Sequence, residues 1–225
     1  MNRRKSYRVP NLVIAGRVAL AFVAVGLLSL PSPLAAGVAV VLIVIVIAMD
    51  GLDGMLARKL GVMSDFGAVL DITADRIVEH TFWIYFAVAH QVGVWVPLVI
   101  MTRSFVVDTV RGLAFAHGKT AFGGATMMRS PVTRFLTASR FMRNLYGVSK
   151  VAAFVLLGVL IAETRADTAG GHVVPPAAVG ALESLAEVAV VITVVLCLAR
   201  GVPVVLDSRD YLFERPESAK GNGSA

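Results

Sequence analysis

Six apolar runs, at about 11–30, 34–50, 67–92, 93–116, 145–162 and 174–200, divide this chain into lengths near the roughly 20 residues that cross a bilayer as helix. Lipid offers no water to backbone N–H and C=O groups, so each run must satisfy them internally, and a helix does so segment by segment. With 57% hydrophobic and 16% charged residues and a mean hydropathy of +0.78, the chain is too apolar for an ordinary soluble domain. The expected fold class is all-α, a polytopic integral membrane protein with about six transmembrane helices. The run at 34–50 continues into a segment that carries charge.

That segment holds the chemistry. Asp50 and Asp53 are spaced i, i+3, and Asp71 and Asp75 are spaced i, i+4, so each pair projects from one helical face. Ionised carboxylates at the edge of hydrocarbon cost several kcal/mol each and repel one another unless a cation neutralises them. Oxygen ligands without a His or Cys cluster favour a hard metal, Mg²⁺ first and Mn²⁺ second. Gly54, Ala57 and Gly67 leave backbone open to a bulky ligand, and Arg58 offers a planar fork for phosphate. Metal, arginine and small residues together read as a diphosphate site. The bland alternatives are solvated helix-end carboxylates paired with Arg58, Lys59 and Arg76, an Arg58 that anchors the cytosolic interface, and a Gly67 that packs helices.

The order Asp50-x2-Asp53-Gly54-x2-Ala57-Arg58-x8-Gly67-x3-Asp71-x3-Asp75 resembles the complete signature of the CDP-alcohol phosphotransferase family of integral membrane enzymes. A looser resemblance to the phosphatidylglycerophosphate synthase and phosphatidylinositol phosphate synthase branch runs from Pro10 to roughly Lys150. The resemblance implies transfer of a phosphatidyl group from CDP-diacylglycerol to an alcohol, with release of CMP. It implies that Asp50, Asp53 and Asp71 are the principal metal ligands, that Asp75 shares a second ion, giving two per site, and that Asp75 accepts the hydroxyl proton. Asn11, Gly54, Ala57, Arg58 and Gly67 would bind the donor, and the protein would be a homodimer with one site per protomer. The branch's opening pattern of Pro, two or three apolar residues, Thr and Arg is similar to Pro10-Asn11-Leu-Val-Ile14-Ala-Gly-Arg17, with Ile14 at the Thr position; Gly147-Val-Ser-Lys150 matches its later Gly-Lys-x-Lys-Thr pattern in part, and Ile72 replaces its Pro.

Basic residues fix the expected orientation. Arg3, Arg4, Lys5 and Arg8, then Arg58 and Lys59, then Lys119, Arg129, Arg134, Arg140 and Arg143, then Arg200, Arg209, Arg215 and Lys220 fall on one side if the helices alternate. The positive-inside rule makes that side, with both termini and the aspartates, cytoplasmic, in a multi-pass cell membrane protein. The basic start and first apolar run could imitate a signal peptide, but Arg17 interrupts the run and another span follows Pro33, so the first helix is expected to be retained. Cys197 is the only cysteine, which excludes an intramolecular disulfide. The net charge of +6 is dispersed over loops that suit anionic headgroups, and no nucleic-acid module is visible. Asn2–Val9 reads as an amphipathic surface opener, Gly118–Asn144 as a loop with a short amphipathic helix, and Thr164–Val174 as an external loop. Residues 1–214 form one expected domain, and 215–225 a disordered tail.

For the acceptor, Arg103 and Arg111 lie about two turns apart on the fourth span, with Asp108 nearby. Buried basic groups need a partner or ligand. With Lys119, Arg129, Arg134, Arg140, Arg143 and Lys150 they could capture a phosphorylated alcohol, glycerol 3-phosphate or inositol phosphate rather than choline or ethanolamine; ordinary inside-positive charge is the simpler alternative. Glu183 and Glu187 read as the external end of the last span, and Glu79 and His80 as packing neighbours of the motif. Competing functions are a divalent-cation transporter or channel using the same aspartates and a non-catalytic lipid-binding scaffold.

Overall fold

The computed structural model describes the backbone of residues 8–60, 65–116 and 130–208, and the side chains of 11–49, 67, 69–114 and 130–208. Among these residues every element is helical: α1 (Arg8–Leu28), α2 (Pro33–Leu60), α3 (Asp65–Val88), α4 (Trp95–Ala116), α5 (Pro131–Ala138), α6 (Arg140–Thr168) and α7 (Pro176–Asp207). The opener at Asn2–Val9 lies outside the described residues except for its last two positions, and the tail at 215–225 lies wholly outside them.

Helix boundaries follow from local chemistry. Pro33 opens α2, where a missing N–H costs nothing, and Ser32 Oγ accepts from Ala35 N at 3.3 Å. α3 ends where His90 takes a left-handed φ of 58° and Gln91 N bonds back to Phe86 O. The short amphipathic helix expected between 118 and 144 is α5, with Ser130 and Thr133 forming a capping box ahead of Pro131. The loop expected at Thr164–Val174 is shorter. α6 runs on to Thr168, because the Thr164 and Thr168 hydroxyls bond back to Leu160 O and Thr164 O and keep a polar stretch helical.

Three helices, at Asn11–Leu28, Arg140–Thr168 and Pro176–Asp207, are long and apolar enough to cross a membrane, and α2 is apolar over Pro33–Met49. α3 and α4 have 24 and 22 residues but carry Asp71, Asp75, Arg76 and Glu79 on one and Arg103, Asp108 and Arg111 on the other. The architecture is that of a polytopic membrane protein.

The chain forms two compact units. In the first, Met1–Met101 with Gly147–Val194, α1 packs against α2 and α3. Its core is aromatic: Phe82, Trp83 and Phe86 of α3 surround Phe154 of α6 with ring centroids 5.3, 4.8 and 5.8 Å away. Gly158 lets α6 approach α2, since a Cβ there would meet Val40 Cγ2 at 2.9 Å. The second unit, Thr102–Tyr146 with Val195–Ala225, buries Val107, Val110 and Ala114 of α4 against Val204 of α7.

Candidate active site

Along one face of α3, Asp71, Asp75 and Glu79 recur every fourth residue, and the same face then turns aromatic at Phe82 and Phe86. The carboxylates meet α1, which delivers a cation from inside its own apolar run. Arg17 is 1% exposed, and its Nη2 lies 2.5 Å from Asp75 Oδ1 and 3.9 Å from Asp71 Oδ1. One guanidinium therefore serves two carboxylates, whose own side chains remain 41% and 45% exposed. The predicted pair on α3 does share a face and does converge on positive charge.

A second ion pair lies beside the first. Glu79, nearly fully buried, accepts from Lys150 Nζ of α6 at 3.1 Å, and Arg76 Nη1 stands 3.7 Å away. Arg17, Asp75, Glu79 and Lys150 line a cavity of about 80 Å³ walled by Val46 and Phe154. Lys150, expected with the acceptor residues, thus belongs to the first unit as the partner of Glu79. His80 is buried in the same helix.

On α2, Asp50, Asp53, Gly54, Ala57 and Arg58 lie on helical backbone, where the spacing of Asp50 and Asp53 keeps them one turn apart. Their side chains lie outside the description. Gly67 lies in the first turn of α3, one turn before Asp71. Asn11 sits half-buried at the start of α1. Among the described residues no three His, Cys, Asp or Glu side chains converge as a metal set. Asp71 and Asp75 are the two of the four expected carboxylates whose side chains are described, and both face the Arg17 guanidinium.

In the second unit, Arg103 lies against Gly201, where a Cβ would meet its Cγ at 2.7 Å. The Arg200 guanidinium stacks 5.3 Å over the Tyr146 ring, and Arg103 and Arg143 are both within electrostatic reach of it. Arg103 Nε and Arg200 Nε are buried without a hydrogen-bond acceptor among the described residues. Two guanidinium groups with idle Nε donors, Arg103 and Arg200, the latter within reach of Arg143 as well, suit an anion. Arg111 is half-buried two turns further along α4, and Lys119 lies outside the described residues.

Sequence reasoning placed Arg17 in a family-like opening pattern without giving it a role, and missed Arg200. Arg17 had a usable signal: a lone guanidinium within a hydrophobic run needs a partner, and the aspartates are the nearest class of partner. Arg200 looked like one more helix-end cation, and nothing in its neighbours distinguished it.

Glu183 and Glu187 are exposed on α7 and line a different cavity of about 490 Å³ with His90, Gln91, Trp95 and Thr164, beyond the C-terminal end of α3. By helical rise that end is about 20 Å from Asp75. Nearby, Glu163 accepts from Val173 N and Val174 N at 2.7 and 2.8 Å and from the His172 ring at 2.9 Å, pinning the α6–α7 loop.

Comparison with known proteins identifies the family. A model of the CDP-alcohol phosphatidyltransferase family matches residues 7–206. The chain is 33% identical over 119 residues to the CDP-diacylglycerol--glycerol-3-phosphate 3-phosphatidyltransferase of Pseudomonas fluorescens, covering 52% of this chain and 60% of that protein. It is 37% identical over 84 residues to the phosphatidylinositol phosphate synthase of Corynebacterium glutamicum, covering 34% and 38%. It is 28% identical over 112 residues to a probable phosphatidylglycerophosphate synthase of Mycobacterium tuberculosis, covering 50% and 53%. The matched region thus spans from 38% to 60% of the length of these relatives. Since the family match takes in all seven described helices and the whole aspartate segment, the chain belongs to the CDP-alcohol phosphatidyltransferase family of enzymes.

Proposed function

We propose that this protein transfers a phosphatidyl group from CDP-diacylglycerol to a phosphorylated alcohol at the cytoplasmic face of the membrane and releases CMP. Glycerol 3-phosphate, part of one relative's name, is the first-choice acceptor, and inositol phosphate, which would give the product another relative is named for, is the second. The observation that carries the reading is the pair Asp71 and Asp75, one turn apart and sharing a buried guanidinium, in a chain of this family.

Asp50, Asp53, Asp71 and Asp75 would hold Mg²⁺ or Mn²⁺, two ions per site, which when bound neutralises the donor diphosphate and the charge on departing CMP. Asn11, Gly54, Ala57, Arg58 and Gly67 bind the donor. Asp75 takes the proton of the acceptor hydroxyl. The freed oxygen bonds to the phosphorus that carries diacylglycerol, the bond from that phosphorus to the bridging oxygen breaks, and CMP leaves with the electron pair. Arg103, Arg143 and Arg200 hold the acceptor phosphate, with Arg111 and Lys119 adding positive potential. Lys150 serves instead as counter-ion to Glu79. A homodimer in the bilayer completes the proposal.

A permeation pathway would need polar groups continuing along α3. The row of Asp71, Asp75 and Glu79 gives way to Phe82, Trp83 and Phe86, all fully buried, which opposes that reading.

The test is purified protein in detergent with Mg²⁺ and labelled CDP-diacylglycerol, offered glycerol 3-phosphate, inositol phosphate, glycerol, inositol and choline. CMP release with one phosphorylated alcohol is expected. No release with any of them, together with metal flux in liposomes, would reverse the assignment.

A further inference from the structure

We propose that Arg17 is a positioning residue of the transfer reaction: its guanidinium orients the Asp75 carboxylate for proton acceptance and lowers the affinity of the aspartates for their metal. The assignment rests on the function proposed above. It goes beyond that proposal by naming a residue, on a helix outside the aspartate segment, that governs two separate quantities.

Arg17 is 1% exposed in the middle of an apolar helix, a position at which a permanent cation survives only with a dedicated partner. That partner is the Asp75 carboxylate at 2.5 Å, with Asp71 next at 3.9 Å. One nitrogen, Nη2, makes the hydrogen bond to Asp75 and the longer ion pair to Asp71, and the planar guanidinium fixes its direction in a way that a freely rotating ammonium of shorter reach would not. The wall behind is balanced: Arg17 faces Asp75, and Lys150 faces Glu79, around the same 80 Å³ cavity. Among the described side chains the guanidinium has its closest carboxylate at the candidate base, while Glu79 is engaged by Lys150 and Arg76.

Two consequences follow, of opposite sign. A positive charge beside carboxylates repels an incoming divalent cation, so removing it must tighten metal binding. Removing it also releases Asp75 from a fixed direction, so turnover must fall. A residue needed only for folding would loosen the metal and slow the reaction together.

The experiment measures free Mn²⁺ by EPR, and CMP release in parallel, for the wild type, Arg17→Met, Arg17→Lys, Asp75→Asn and the Arg17→Met/Asp75→Asn double variant in detergent. Arg17→Met is expected to bind Mn²⁺ at least about threefold more tightly and to lose about 100-fold in kcat, with donor KM within about threefold. Arg17→Lys is expected to keep wild-type Mn²⁺ affinity and lose about tenfold in kcat. On the Asp75→Asn background, Arg17→Met should add little further loss of turnover. Weaker or unchanged Mn²⁺ binding by Arg17→Met, or wild-type turnover by Arg17→Lys, overturns the assignment; if the Met variant does not fold, the Lys variant decides alone. The wild-type arm reads the underlying function separately. If it binds Mn²⁺ and releases no CMP with any acceptor, the proposed reaction fails and with it the positioning role. If CMP is released normally and only the variants disobey, Arg17 alone is misassigned.

Discussion

Replacing Glu79 by Gln should destabilise the protein more than replacing Lys150 by Met, and the double replacement should cost about half the sum of the two single losses. The carboxylate is 4% exposed and the ammonium 26%, with 3.1 Å between them. At that distance, with an effective dielectric near 20, their attraction is about 5 kcal/mol. Desolvation of both groups offsets much of it, leaving an expected coupling of about 2–3 kcal/mol. The asymmetry comes from the neighbours. Without Lys150, Glu79 keeps Arg76 at 3.7 Å. Without the Glu79 charge, Lys150 loses the carboxylate at 3.1 Å and shares a cavity wall with the Arg17 guanidinium and Asp75. Glu79→Gln should therefore cost about 3–4 kcal/mol and Lys150→Met about 1–2 kcal/mol. Reversible unfolding of the four proteins in mixed micelles, followed by tryptophan fluorescence, gives the cycle. Losses that add to within about 0.5 kcal/mol, or a Lys150 variant worse than the Glu79 variant, would refute the reasoning.

Other perturbations test separate parts. Gly158→Val should push α6 off Val40 and lower stability by about 1–3 kcal/mol, seen in the same unfolding assay, because a Cβ already falls within 2.9 Å. Glu163→Ala removes the acceptor of two backbone N–H groups in an exposed loop, so water recovers part of the loss; a lower unfolding midpoint and faster proteolysis between α6 and α7 are expected. Arg200→Met should raise the acceptor KM about tenfold or more and leave the donor KM within about twofold, which initial-rate kinetics with each substrate varied would show. Removal of divalent cations by chelation should abolish CMP release, with activity restored by Mg²⁺ or Mn²⁺ and not by monovalent salt.

The helices were legible because hydrocarbon-length apolar runs admit little else, and the spacing of Asp71 and Asp75 gave their shared face directly. The end of α6 was not legible: Thr164–Thr168 reads as loop by polarity, yet its hydroxyls bond to carbonyls within the helix. Nor were the ion pairs. Arg17 and Asp75 are 58 positions apart, and Glu79 and Lys150 are 71 apart. Hydropathy gives the depth of a charge in a span and not which span lies beside it, so Lys150 was grouped with basic loop residues of similar depth. Arg200 escaped for a related reason. Its stacking on Tyr146 and its closeness to Arg103 come from the packing of α4, α6 and α7 within the second unit, which no spacing along one helix encodes.

The central claim is that carboxylates of α2 and α3 hold a cation against the diphosphate of a nucleotide-activated lipid. Pulsed ENDOR on Mn²⁺-loaded protein with CDP-diacylglycerol reads this directly, through the hyperfine coupling between the ion and donor ³¹P. The account predicts a resolved ³¹P coupling that disappears in Asp71→Asn. A Mn²⁺ signal with no phosphorus coupling, or one indifferent to that substitution, would contradict it.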